Sequence, residues 1–129
     1  MLMPIKTKRW NDPAEPDDGF RLLVCRYRPR GLPKEQETWD QWLPALGPSR
    51  ELHAAFYGKN RLPASWGEYR PRYLKEMLAQ KAAIATLAER DRAGETITLL
   101  CSAECTREAR CHRSLLKELI ERAAAEGSK

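Results

Sequence analysis

The stretch Thr96-Ile97-Thr98-Leu99-Leu100-Cys101-Ser102, with Cys111-His112-Arg113-Ser114 after it, decides how this chain folds. The first segment is an apolar, β-branched run of the kind that forms a buried strand. The second opens an amphipathic helix, because apolar residues recur behind it at helical spacing. A strand that leads into a helix through thiols, a histidine and an arginine predicts a ligand site at the junction. The apolar face of that helix comprises Leu115, Leu116, Leu119, Ile120 and Ala123.

Two more strands are predicted nearer the N terminus. Residues 6–10 alternate weakly between polar and apolar, and residues 20–27 form a stronger candidate. The centre of the second, Leu22-Leu23-Val24-Cys25, is apolar on both faces, which favours a strand covered by helices on both sides of a sheet. Pro29 and Gly31 then predict a turn.

Short helical patterns follow the second strand. Trp39, Trp42, Leu43 and Leu46 fall at i, i+3, i+4 and i+7, which predicts a helix across them. A second short helix is predicted over residues 49–57, with a serine at its capping position.

A longer helical stripe precedes the third strand. Ser65 and Glu68 have capping-box spacing, and the stripe continues as far as Gly94. We therefore expect one long helix or two consecutive ones, with a kink at Pro71. So long a connection suits a right-handed crossover between parallel strands.

Length and composition complete the predicted architecture. The 129 residues suit one domain, so we predict a single small α/β domain over residues 1–129, with a short, mostly parallel sheet and helices packed on it. No apolar run could cross a bilayer, and the N-terminal segment lacks the apolar core of a signal peptide. We therefore expect a cytoplasmic protein with no membrane partner, whose cysteines are reduced or metal-bound.

The predicted site lies where the strands end. Parallel strands bring their carboxyl ends to one edge of a sheet, where α/β proteins bind ligands, so Cys25 and Cys101 are expected at the same edge. The net charge of +5 mildly favours anionic partners, although no polybasic run is present. We predict an anionic small molecule or nucleotide as ligand, with Cys101 and His112 as catalytic candidates. The predicted ligand-binding residues are Arg9, Arg26, Arg30, Ser102, Arg113 and Ser114.

Several different chemistries are compatible with the same residues. Cys101 and Arg107 have the spacing of a cysteine-phosphatase loop, but Glu104 stands where backbone amides should face an anion. The residues also suit a redox-sensing thiol pair, or a nucleic-acid-binding module in which Trp10 stacks on a base. No particular cofactor is indicated, and the protein is an enzyme only if the ligand is also a substrate. If a metal is bound, the candidate ligands are Cys101, Cys105, Cys111 and His112.

Two residues near the site receive structural interpretations. Cys25 lies among apolar residues and is expected to be a small buried hydrophobic side chain. His53 has no partner pattern around it and is expected at the surface.

Several blocks together resemble the YeaO-like family of uncharacterised bacterial proteins, domain of unknown function 488. The resemblance spans nearly the whole chain, and it implies a compact α/β domain in the bacterial cytoplasm without implying a particular reaction. Cys25 and Arg28 depart from the aspartate and tryptophan that many members carry. The matching blocks are Lys8-Arg9-Trp10, Asp18-Gly19-Phe20-Arg21-Leu22-Leu23-Val24, Arg26-Tyr27-Arg28-Pro29-Arg30-Gly31, Trp42-Leu43, Gly47-Pro48-Ser49-Arg50-Glu51-Leu52, Arg72-Tyr73, Glu76-Met77, Leu99-Leu100-Cys101 and Cys111-His112-Arg113-Ser114.

Overall fold

A computed structural model describes residues 5–56, 65–102 and 111–127, and these residues build a four-stranded parallel sheet. The strand order is β1-β4-β2-β3, so β4 lies inside the sheet, and all of its residues are buried. This arrangement confirms the predicted parallel sheet. The strands are β1 (Lys6–Arg9), β2 (Phe20–Leu23), β3 (Gln41–Trp42) and β4 (Ile97–Cys101).

Helices cover one face of this sheet. Alternate strand residues, including Leu22 and Leu99, pack with helical residues such as Tyr73 and Leu116 in the main core. The expected α/β domain with helices packed on its sheet is therefore confirmed. Among the described residues, no helix has both the length and the apolar character needed to span a membrane. The helices are α1 (Arg50–Phe56), α2 (Trp66–Met77), α3 (Lys81–Arg92) and α4 (His112–Gly127).

Among the described residues, tryptophans in connecting segments and in β3 cover the other face, so the expectation of helices on both sides of β2 is not met there. Leu23 and Leu100 pack there against Trp10, Trp39 and Trp42 in a second, smaller cluster. The rings of Trp10 and Trp39 meet edge to face, with their centroids 6.4 Å apart. Large aromatic rings on two loops and on β3 bury the apolar strand surface that helices were expected to cover.

The helix predicted across Trp39, Trp42, Leu43 and Leu46 is also wrong. Trp42 pairs with Leu23 in the sheet, and a 3-10 turn follows at Pro44–Leu46. Pro44 disfavours helical backbone at the residue before it, and the Leu43 amide instead donates to the Leu23 carbonyl at 3.0 Å. Sheet pairing has overridden a coincidental helical spacing.

Two consecutive helices form the long stripe before β4. The capping box that opens α2 is present, since Ser65 Oγ accepts from the Glu68 amide at 3.2 Å and the Glu68 carboxylate accepts from the Ser65 amide at 3.3 Å. Helix α2 continues through Pro71, and the interruption lies later, at the 3-10 turn Leu78–Gln80. A continuous helix can still bend at a proline, so the kink at Pro71 stays a prediction.

A buried carboxylate fixes the connection from β1 to β2. Asp18 is 1% exposed and accepts hydrogen bonds from Lys6 Nζ at 2.6 Å, from Lys8 Nζ at 3.1 Å and from Arg21 Nη1. Its backbone carbonyl accepts from Thr98 Oγ1 at 2.7 Å. Burial raises the pKa of the Asp18 carboxyl, but the lysine hydrogen bonds outweigh burial and hold the pKa well below its usual range.

Candidate functional site

The carboxyl edge of the sheet brings two distant cysteines together. Cys101 ends β4, and Cys25 follows β2 at the same edge, next to the Val24 amide that donates to the Leu100 carbonyl at 3.0 Å. Both thiols are buried and both line one small cavity. Their shared edge agrees with the prediction made from parallel strands.

Cys101, Cys111 and His112 form a compact group, called here the thiol–imidazole cluster. Cys111 Sγ lies 3.3 Å from Cys101 Sγ and 4.0 Å from His112 Nδ1. The sulfur separation is well beyond the roughly 2.05 Å of a disulfide bond. All three residues are buried, with at most 6% of any one exposed. This arrangement supports thiol or metal chemistry.

The imidazole orientation is set by a backbone carbonyl on the neighbouring strand. His112 Nε2 lies 2.8 Å from the Val24 carbonyl oxygen. Because a carbonyl oxygen can only accept, Nε2 carries the proton, and a neutral ring keeps its lone pair on Nδ1. The nitrogen on the side of Cys111 is therefore the basic one.

The start of α4 fixes the position of Cys111. The Ser114 amide and hydroxyl both donate to the Cys111 carbonyl, at 3.1 and 2.8 Å. Cys111 immediately precedes the helix, where unpaired amides and the helix dipole favour negative charge. Ser114 therefore holds the backbone at Cys111 in position. Its contact with an anion, which the sequence suggested, stays a prediction.

Tyr73 is a neighbour of the cluster that the sequence placed only in the core. Its ring centroid lies 5.5 Å from that of His112, and its hydroxyl donates to the Leu46 carbonyl at 2.7 Å. Burial raises the pKa of Tyr73 well above its usual value, and the neighbouring Cys111 and Cys101 raise it further. Tyr73 is therefore a neutral donor at physiological pH. Its helical spacing matched that of core residues, so no sequence signal set it apart.

Two cavities meet at this edge. The smaller, of about 30 Å³, is lined in part by the thiol–imidazole cluster. The larger, called here the basic cleft, has a volume of about 800 Å³. Cys25, Arg26, His53 and Ser102 line both cavities, so the two adjoin. The lining of the basic cleft includes Arg26, Arg28, Arg30, Trp10, Trp42 and Ser102.

Three arginines give the basic cleft its charge. Arg26 is anchored through Nε to the Pro48 carbonyl at 2.7 Å. Arg28 pairs with Glu37 at 2.8 Å, whereas Arg30 is exposed. The structure therefore places two predicted anion contacts, Arg26 and Arg30, in one cleft wall.

Two other predicted arginine contacts lie outside the lining of both cavities. Arg9 pairs with Asp12 at 3.0 Å, and Arg113 is 4% exposed in the first turn of α4. A hydrogen bond from the Arg9 amide lowers the pKa of Asp12 against the effect of burial, and the charges of Arg9 and Arg113 lower it further. Contact of either arginine with an anion stays a prediction.

Three residues considered in the sequence, Glu104, Cys105 and Arg107, lie outside the described residues.

The structure corrects the interpretation of His53. The sequence predicts a surface position, yet His53 is half-buried in α1 and lines both cavities. Its ring meets that of Tyr27 edge to face, with centroids 5.0 Å apart. Helix α1 has only seven residues, which is too short for spacing to separate a site-facing side from an exposed side.

Replacing Gly47 by alanine is expected to lower the free energy of unfolding by about 1–3 kcal/mol, because overpacking against backbone cannot relax easily. A Cβ at Gly47 would lie 2.6 Å from the Arg26 amide nitrogen and 3.0 Å from the Cys25 carbonyl carbon. Denaturant unfolding measures the change. Gly67→Ala is the control, because its Cβ would meet only Ser65 Oγ, at 3.8 Å, and a glycine-to-alanine change in a helix stabilises by up to about 1 kcal/mol. Equal effects of the two changes would contradict the close approach.

Comparisons of the sequence with known proteins found one matching family model and several relatives. A family model described as the active DUF488-N3 subclade matches residues 5–124. The Escherichia coli K12 protein named uncharacterized protein YeaO is 38% identical over 104 residues, which are 81% of this chain and 87% of that protein. An uncharacterized protein of Mycobacterium tuberculosis H37Rv is 32% identical over 117 residues, which are 90% of this chain and 92% of that protein. No solved structure matches significantly.

Proposed function

The chain belongs to the YeaO-like DUF488 family, and we propose that it binds a phosphate-bearing or other anionic small ligand, such as a nucleotide, in the basic cleft. The observation that carries this proposal is the cleft itself, where three arginines and aromatic rings line about 800 Å³ beside the buried thiols. Small-molecule sites have volumes of roughly 300–1,000 Å³. The cleft therefore suits a ligand of nucleotide size.

The arginines supply the chemistry that recognises an anion. Guanidinium groups bind phosphate or carboxylate oxygens through paired hydrogen bonds. Arg26 is held in place through Nε by the Pro48 carbonyl, which lowers the entropy lost when its outer nitrogens meet a ligand. Trp10 and Trp42 offer aromatic surface on which a base could stack. Ser102, at the boundary of the two cavities, provides a hydroxyl for a further hydrogen bond.

The thiol–imidazole cluster is the proposed reactive part of the site. Cys101 is the candidate nucleophile, and His112 lies beside it as the candidate proton acceptor. Reduced thiols also fit a reducing compartment, so the proposal places the protein in the cytoplasm.

Removing both cleft arginines tests the proposed ligand. The double variant Arg26→Ala/Arg30→Ala is expected to lose about tenfold or more in affinity per arginine, since a hydrogen bond to a charged group contributes roughly 1.5–3 kcal/mol. Calorimetric titration with adenosine monophosphate, adenosine triphosphate, pyrophosphate and inorganic phosphate measures the loss. Arg70→Ala/Arg72→Ala is the matched control, because both residues are exposed on α2 and their loss changes the net charge equally.

Two outcomes would contradict this proposal. One is equal loss of binding in both double variants, which would mean that only net charge matters. The other is binding of single-stranded nucleic acid that weakens steeply with the logarithm of salt concentration, while none of the small anions binds. That result would favour the nucleic-acid-binding module instead.

A further inference from the structure

We propose that the thiol–imidazole cluster binds one zinc ion through Cys101 Sγ, Cys111 Sγ and His112 Nδ1, beside the small cavity. Side chains of these three residues offer ligand atoms that all lie within 4.8 Å of one another. These are three of the four candidate ligands predicted from sequence, and the fourth, Cys105, lies outside the described residues. Zinc binding would be compatible with anion binding in the basic cleft, but it would replace the nucleophile and proton-acceptor roles of Cys101 and His112, because both side chains would be metal ligands.

The distances suit tetrahedral zinc. With zinc bonds of about 2.3 Å to sulfur and 2.0–2.1 Å to nitrogen, tetrahedral angles place two sulfurs about 3.8 Å apart and a sulfur and a nitrogen about 3.6 Å apart. The corresponding separations are 3.3 Å between the sulfurs and 4.0 Å between Cys111 Sγ and His112 Nδ1. The donor atoms of Cys101 and His112 lie within 4.8 Å of each other, so side-chain shifts of up to about 1 Å would bring all three atoms to bonding distance.

The histidine is already oriented as a zinc ligand. Metal-binding histidines commonly donate their second ring N–H to a carbonyl or carboxylate, which fixes the tautomer and aims the other nitrogen at the metal. His112 Nε2 makes this bond to the Val24 carbonyl at 2.8 Å. A buried imidazole held in this way contributes its Nδ1 lone pair at little further cost in entropy.

A small cavity adjoins the proposed donor atoms. Its volume of about 30 Å³ exceeds the roughly 10–15 Å³ that a water molecule needs. All three proposed ligands line it, as do Ser102 and Arg26. Zinc sites with three protein ligands and one exchangeable position are typical of catalysis, whereas closed four-ligand sites are typical of structure. Three of the described residues supply donor atoms, and the cavity beside them has room for a water molecule as a further ligand.

The donor atoms select the kind of ion. Two thiolates and an imidazole suit zinc, whereas calcium and magnesium require oxygen ligands. Two thiolates also neutralise the charge of Zn²⁺ in a buried place, which avoids the cost of burying an uncompensated charge. As the ion binds, protons on the two thiols are released to solvent, so affinity should rise with pH.

Metal titration tests this proposal independently of any cleft ligand. Metal-free protein, reduced and kept without oxygen, is titrated with zinc against a chromophoric chelator, and one ion per chain is expected. Cobalt substitution should give a thiolate-to-metal charge-transfer band and the intense visible bands of tetrahedral cobalt. Loss of an outer-sphere partner alone costs roughly 10–100-fold in metal affinity, so Cys101→Ser, Cys111→Ser and His112→Gln should each lose at least about 100-fold.

The Cys25→Ser variant is the matched control. Cys25 is also buried and also lines the small cavity, but it is not in the three-donor set, so this variant should retain zinc affinity within a few-fold. Circular dichroism checks that each metal-free variant is folded. The proposal fails if the reduced wild-type protein binds no zinc, or if Cys25→Ser loses as much affinity as Cys101→Ser. If the ligand variants do not fold, the wild-type cobalt spectrum decides, because absence of the thiolate band excludes this site.

Discussion

Replacing Asp18 by alanine is expected to lower the free energy of unfolding by about 3–5 kcal/mol, the cost typical of removing one partner from a buried ion pair. The carboxylate of Asp18 is the shared acceptor for Lys6, Lys8 and Arg21. The lysine side chains are 28% and 13% exposed and can still reach water, but only 8% of the Arg21 side chain is exposed. The variant therefore leaves a buried guanidinium without its carboxylate, which accounts for most of the loss.

The neighbouring acid provides a matched control for this change. Asp17 is 79% exposed and pairs with Lys6 at 3.3 Å, so Asp17→Ala should change stability by no more than about 0.5 kcal/mol. Chemical denaturation of both variants makes the comparison. Equal losses would mean that the acidic turn stabilises the fold through its net charge and not through one buried carboxylate.

The same residue predicts a dependence of stability on pH. In the unfolded chain its pKa is near the ordinary 3.8, and in the folded protein it lies well below that value. At a pH between these two pKa values, the unfolded chain binds more protons than the folded protein. The Asp18 carboxylate therefore stabilises the fold fully above the unfolded pKa. This stabilisation is lost as the pH falls through the folded pKa. The stability difference between wild type and Asp18→Ala should therefore narrow as pH is lowered from about 5 to about 2. A difference that stays constant over this interval would contradict the low pKa.

The sequence was sufficient to predict those elements whose conformation depends on neighbouring residues in the chain. The apolar run at β4 and the Ser65–Glu68 capping box fix their elements through neighbouring residues alone, and both were predicted. Strand β3 has only two residues and owes its conformation to pairing with β2, so a local pattern could not reveal it. Asp18 belongs to a turn rich in acids, and sequence could suggest ion pairs with arginines without showing which carboxylate is buried.

The same distinction between local sequence pattern and long-range packing applies to the candidate site. Cys101 and His112 were located because a strand meets a helix there, and parallel strands predicted that Cys25 would share the edge. Other features of the site depend on packing between segments that are distant in sequence. These are the 3.3 Å separation of Cys101 Sγ and Cys111 Sγ, the hydrogen bond from His112 to the Val24 carbonyl, and the position of His53 in the lining of both cavities. Such contacts leave no periodic signal in the chain.

Replacing Gly19 by alanine is expected to cost about 3 kcal/mol or more, because two independent penalties combine. Gly19 has φ 64° and ψ −129°, a conformation that costs other residues about 1–3 kcal/mol. An added Cβ would also overlap the carbonyl oxygen of Thr96 and lie 2.8 Å from its Cβ. That same oxygen accepts the Phe20 amide at 2.9 Å, where β2 begins to pair with β4. Relief of the overlap would therefore disturb the sheet, and thermal and denaturant unfolding should both report the loss.

Gly94→Ala separates the two penalties. Gly94 has φ 91°, and a Cβ there would meet no atom within 4 Å, so only the backbone penalty applies. Its loss should be about 1 kcal/mol, and the excess for Gly19→Ala measures the steric overlap with Thr96. Equal losses of stability in the two variants would contradict the tight contact between Gly19, just before β2, and Thr96, just before β4. A larger loss for Gly19 would instead mean that the chain needs glycine there because the turn that buries Asp18 must pass directly over the backbone of Thr96.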